Sequence, residues 1–273
     1  LLWHFRLTSK NRALNSPGSC VLLGIAIVLI ARNIRWKLDP EDAPISSLAN
    51  DFVNVVYAIA LGLMVVGVQG GYSEVQELVM HEAYTVGEVF IDAYGLSEPT
   101  RSNVQNYAEK YANSVVDDEW DKIREGRREV STSNIILDKL IFEIVKFNPG
   151  TNGEVAVHAE ILAQVNQLHD FRRERLHMGS EGLGVVTWLV VICGAIITIG
   201  LSGFHRTESA STHYLIISIM TSMLGLMIFL IVAMDRPLWG DFSISKSPFT
   251  EVLSDIERWK SDFGQPNNFI IKR

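Results

Sequence analysis

Four stretches of this chain run almost unbroken in apolar residues, and between the second and third the pattern changes to apolar positions every three or four residues. A bilayer core of about 30 Å takes roughly 20 mostly apolar helical residues to cross. Residues 184–204 (GVVTWLVVICGAIITIGLSGF) and 214–234 (YLIISIMTSMLGLMIFLIVAM) meet that length without a charge, and 52–71 (FVNVVYAIALGLMVVGVQGG) comes close. The stretch 20–31 (CVLLGIAIVLIA) is shorter. It reaches span length only with its flanks, Arg32 and Arg35 snorkelling and Trp36 at the interface.

The region between spans two and three reads as helices throughout. Val75, Val79, Ala83, Val86, Phe90 and Ala93 share one helical face that ends near Gly95. After LSEPT, a second helix offers Val104, Tyr107, Tyr111, Val115, Trp120 and Ile123 for burial and stops at Gly126. STSNIILDKLIFEIVKFNPG predicts a third, opened by a Ser or Thr cap and closed by Asn-Pro-Gly. A fourth runs from about Gly153 to Met178 and is expected to feed straight into the third span. No strand alternation competes. The predicted fold is an all-α integral membrane protein with four transmembrane helices and a soluble helical domain inserted between spans two and three. Its segments are 1–71 with spans one and two, 72–180 as the soluble domain, 181–236 with spans three and four, and a polar tail 237–273 with one amphipathic stretch around 249–259.

Composition agrees with the membrane class: 48% of residues are hydrophobic and 20% charged. The net charge of −7 is unevenly placed, because residues 72–180 hold 19 acidic against 11 basic side chains. Such acidity repels phosphate backbones, so nucleic acid is excluded as a partner. Four spans put both termini and the soluble domain on one side. Arg6, Lys10, Arg12, Arg172, Arg173, Arg175, Arg236 and Lys246 flank the spans there, against Arg32, Arg35, Lys37 and Arg206 opposite, which makes it the cytoplasmic or equivalent side. Cys20 and Cys193 lie within apolar runs and form no disulfide framework. The chain opens on Leu1 without a cleavable-signal pattern, compatible with a segment of a longer precursor.

The stretch HDFRRERLHM, 169–178, sets three arginines just ahead of the third span. Val155, His158, Ile161, Leu162, Val165 and Leu168 mark the inner face of its helix, and Arg172 and Arg175 continue that face while Arg173 leaves it. One reading makes all three headgroup anchors. The other turns Arg172 and Arg175 inward, where an unpaired guanidinium is costly, and pairs them with Glu82 or with Asp117, Asp118 and Glu119 of the DDEWD stretch. At a second junction, MDRPLWG, Asp235, Arg236 and Pro237 close the fourth span, either as a helix terminus with interface anchors or as a lateral contact between subunits.

In the second span Asn54, Ala58, Gly62, Val65 and Gln69 fall within about 80° of one another at 100° per residue. This small, partly polar face suits close helix packing, or else a pore wall constricted at Val65, Leu61 or both. One such helix encloses nothing by itself, so a pore requires several copies around an axis.

Catalytic signatures are missing: the chain has no HExxH, CxxC, GxxxxGK or GxSxG. His158, His169 and His177 lack the partners of a metal site, and DDEWD lacks the alternating ligands and glycine of a calcium loop. No enzyme activity, cofactor or metal is expected.

DFVNVVYAIALGLMVVGVQGGYSEVQELVMHEA, YANSVVDDEW, VNQLHDFRRERL, TWLVVICGAIIT and MDRPLWG occur in the order seen in the bestrophin-like membrane domain family of unknown function, which the chain resembles over roughly 50–250. The resemblance implies four spans and a helical cytoplasmic domain. Through a more distant likeness to bestrophins, it also implies a pentamer with a central ion path lined by the second span. The acidic calcium clasp and aromatic-rich neck of animal bestrophins are not found here, so calcium gating and anion selectivity do not carry over. Two functions are compatible with these features: an oligomeric ion channel, in which carboxylates around a vestibule would concentrate cations, or a non-conducting scaffold or accessory subunit of a larger membrane complex that docks a partner through its helical domain.

Overall fold

The computed structural model describes residues 43–127, 132–204 and 210–263. The expected first span, 20–31, lies outside them. Helix α1 covers Ala43–Asp92 and closes with a 3-10 turn, Ala93–Gly95. Next come α2, Thr100–Ser114, a π-helical turn, Val115–Glu119, and the short α3, Trp120–Arg124. They are followed by α4, Thr132–Val145, α5, Asn152–Met178, α6, Val185–Phe204, α7, Ala210–Met234, and α8, Ser247–Phe263. No strand occurs among the described residues.

Among the described residues, three helical segments are long and apolar enough to cross a membrane: one within Ser47–Gly95, Val185–Ser202 and Leu215–Met234. Only 17, 28 and 22% of their apolar windows are buried among the described residues.

The chain divides into two compact units, Leu1–Tyr72 with Glu181–Arg236, and Ser73–Ser180 with Pro237–Arg273. In the first, Tyr57, Leu61 and Val68 recur on one stripe of α1 and pack with Val191 and Ala195 of α6 and Ile231 of α7. Tyr57 donates its hydroxyl to the Val191 carbonyl at 2.6 Å, and its ring lies against Gly194, where a side chain has no room. Gly194→Leu is therefore expected to destabilise the protein by about 1–3 kcal/mol through overpacking. Thermal unfolding in detergent checks this, with substitution of the unencumbered Gly200 as the control.

In the second unit the inner face of α1 is made by Val75, Val79, Ala83, Val86, Phe90 and the following Ala93, and α2 adds Val104, Ala108 and Tyr111. Tyr107 and Ile123, expected inside, are only half-buried. For Ile123 the cause is the π turn, which admits an extra residue and so rotates the side chains beyond it. Gly126 ends this run at φ +72°, a left-handed conformation natural to glycine, with its N–H on the Ile123 carbonyl at 2.8 Å. Thr151 caps α5 by accepting the Glu154 N–H at 3.2 Å.

One expectation is corrected. Helix α5 does not run into α6, because it stops at Met178 and residues 179–184 are not helical. Gly179 there has Leu238 packed where a Cβ would stand. Within the tail, the expected amphipathic stretch folds as α8. It joins the second unit, with Phe249, Val252 and Ile256 of α8 buried, Trp259 stacked on Phe90 at 6.2 Å and Lys260 on Glu109 at 2.5 Å.

Candidate functional site: a buried charge network

Helix α5 turns Ile161, Gln164, Val165 and Leu168 inward, and the same stripe delivers Arg172 and Arg175 into the interior. Val155, at the start of the expected face, is exposed. Arg173 is exposed as well. Both inward guanidiniums are 3% exposed or less, and so are Glu82 of α1 and Glu119 of the π turn.

The four side chains form one network. Arg172 grips Glu119 with two parallel bonds, Nη1 to Oε1 at 3.0 Å and Nη2 to Oε2 at 2.6 Å. Arg175 donates Nη2 to Glu119 Oε1 at 2.7 Å and to Glu82 Oε1 at 3.0 Å, while its Nε bonds Glu82 Oε2. Tyr111 of α2 gives its hydroxyl proton to Glu82 at 2.5 Å and accepts from Arg172 Nη1 at 3.2 Å. Helix α4 contributes Ser133, which donates to Glu119 and accepts from Arg172 Nη2, and Asn134, which accepts from Arg172 Nε at 2.9 Å. The Trp120 ring lies 5.5 Å from the Arg175 guanidinium carbon. Two positive and two negative groups balance, and five elements, α1, α2, the π turn, α4 and α5, meet at one buried point.

Burial pushes the Glu119 carboxyl up, but the adjacent Arg175 and Arg172 charges and the bonds from Arg172 and Ser133 outweigh it and hold the group well below the usual carboxylate range. Burial, aided by the Glu82 charge, pushes the Tyr111 hydroxyl up, so it stays a donor. Burial alone would lower both arginines, yet the carboxylates raise them, Arg172 through Glu119 and Arg175 through Glu82 and Glu119.

Asp117 and Asp118 stand apart from this cluster. Asp117 is exposed, and Asp118 pairs with Lys122 at 2.8 Å on the outer side of the turn. Tyr111 and Trp120 were legible as buried but not as polar partners, while Ser133 and Asn134 read only as part of a helix start. A stripe of apolar residues ending in arginines asks for hydroxyl and carboxylate partners, and that was the available signal.

Along the first part of α1, Ala58, Gly62 and Gln69 are exposed, whereas Asn54 and Val65 are half-buried. Leu61 is buried: four residues after Tyr57 and seven before Val68, it belongs to the packed stripe, against which Val65 also packs. At the other junction Asp235 accepts the Leu183 N–H at 2.5 Å, and burial pushes its carboxyl up. Arg236 is exposed, whereas Pro237 is buried and accepts the Ile244 N–H at 2.8 Å. Among the described residues no group of His, Cys, Asp and Glu is arranged to hold a metal ion. His158 sits 3.0 Å from the Ile144 carbonyl, His169 lies beside Asp170 and His177 is exposed.

Membrane-length helices joined to a helical unit with a buried ionic centre define an all-α integral membrane protein. The sequence matches the Bestrophin-like domain over residues 21–249, and the chain belongs to that family. Among curated proteins no relative matches. Its fold is similar to that of a bacterial bestrophin homologue from Klebsiella pneumoniae in a single-substitution form, with a TM-score of 0.67 at 12% identity, covering 91% of this chain and 99% of that one. A second structure of a Klebsiella pneumoniae bestrophin homologue gives 0.65 at 13% identity, over 90% of this chain and 98% of that one. A structure described as a membrane protein gives 0.67 at 12% identity, over 92 and 99%.

Proposed function

We propose that several copies of this chain assemble around an axis and conduct ions along a path lined by α1, with the helical unit on the cytoplasmic or equivalent side. The observation that carries this reading is the uncovered face of α1. Val55, Ala58, Ile59, Gly62, Leu63, Val66 and Gln69 are exposed side by side, although the opposite stripe is firmly packed. In a hydrocarbon setting a face carrying Gly62 and Gln69 suits water or another protein surface better than lipid. Family membership agrees with this reading, and the resemblance to bestrophins implies five copies. Farther along the same helix Glu74, Glu77 and Glu88 are also exposed. Repeated around an axis, they would raise the local cation concentration, so the path is read as favouring cations.

Current through purified protein in planar bilayers tests the reading. A Cβ at Gly62 meets nothing within 4 Å, so Gly62→Trp is compatible with the folded chain. It is expected to lower conductance by roughly tenfold or more by narrowing the path, at unchanged yield. Absence of current from the unsubstituted protein, together with single copies bound among unrelated subunits, would replace this reading with that of a scaffold or accessory subunit.

A further inference from the structure

In the π turn the Trp120 N–H reaches back five residues to the Val115 carbonyl and passes over Val116, its partner in an α-helical register. The Val116 carbonyl instead receives the Lys246 ammonium at 2.8 Å, from the segment just ahead of α8. That segment is held in place on both sides of Lys246. Leu238 fills the space beside Gly179, Gly240 N–H bonds the Arg124 carbonyl at 3.1 Å, and the buried Phe249 ring meets Trp120 edge-on at 6.1 Å.

We propose that Lys246 is a latch by which the C-terminal segment keeps residues 115–119 in π register and thereby keeps Glu119 between the two guanidiniums. Two donors compete for one carbonyl. With Lys246 on Val116, Trp120 is left with Val115 and the extra residue stays in the turn. With Lys246 withdrawn, Trp120 N–H takes Val116 and the turn tightens by one residue. A one-residue slip rotates the side chains beyond it by about 100°, which carries Glu119 out of reach of Arg172 and Arg175. The docking state of the C-terminal segment thus sets the state of the buried network through a bistable backbone element. Lys246 is a positioning residue in this scheme, and the inference holds whether or not the protein conducts.

Amide hydrogen exchange on the full chain in detergent, read by mass spectrometry, tests the latch with Lys246→Met, which keeps the aliphatic stem, and Lys246→Arg, which keeps the charge and donors. Lys246→Met is expected to speed exchange over 115–120 by roughly tenfold, as loss of one charge-assisted bond implies, with peptides from α6 and α7 unchanged. Lys246→Arg should restore the unsubstituted rate. Unchanged exchange at 115–120, acceleration in α6 and α7 as large as that at 115–120, failure of Lys246→Met to fold, or an arginine variant that behaves like the methionine one would overturn it.

Discussion

Arg175→Met is expected to cost about 3–5 kcal/mol of stability, because it removes one charge from a buried, balanced set of four. The side chain is completely buried and bonds both Glu82 and Glu119. Methionine fills much of the volume but leaves two carboxylates facing Arg172 alone, with Glu82 kept company only by the Tyr111 hydroxyl. Adding Glu82→Gln restores neutrality, since one guanidinium then faces one carboxylate. The double variant should regain at least half of the loss. Denaturant or thermal unfolding of the full chain in detergent reads both variants. A single variant within about 1 kcal/mol of the unsubstituted protein, as is typical of exposed pairs, would show that the network is not closed to water.

The second large effect concerns Glu119 and acid. Glu119→Gln leaves two buried guanidiniums facing Glu82 alone and is expected to cost on the order of 3 kcal/mol at neutral pH. Its dependence on pH comes from the depressed folded-state value. Above the ordinary value of 4.5 the carboxylate is ionised in both folded and unfolded chains, so its stabilising contribution is complete. Below 4.5 the unfolded chain takes up a proton that the folded chain refuses, and the contribution falls progressively as pH drops toward the folded value. The stability gap between the unsubstituted protein and Glu119→Gln should therefore be constant from about pH 7 to 5 and narrow by pH 3. Paired unfolding curves at those pH values check it. A gap that does not change with pH would mean that Glu119 acts through shape and hydrogen bonding rather than charge.

Both effects depend on a feature that periodicity does not predict. The stripe Ile161, Val165, Leu168, Arg172 and Arg175 is plain in the sequence, because a helix repeats its face every three or four residues whatever surrounds it. The choice of Glu119 over Asp117 and Asp118 is not plain, since it needs the π turn, and that turn is held in part by Lys246, 130 residues away from Val116 along the chain. The same limit explains the expected break-free passage from α5 into the third span. Gly179 is a weak helix breaker alone, and it ends α5 with Leu238 packed against it, a residue contributed by a segment that looked like a polar tail.

For the spans, composition alone determined the essential features. Twenty consecutive apolar residues have few folded alternatives in water, and three of the expected spans fall on helices of membrane length. Sequence also determined the all-helical class, since no segment alternates with a period of two. Tertiary structure decided which side of each helix is left uncovered: Leu61 turned inward onto the Tyr57 stripe, while Ala58, Gly62 and Gln69 were left open. It also decided which acids meet the arginines and where the C-terminal helix lies. Periodicity states that a helix has faces, but only packing against residues distant in the chain determines what each face meets.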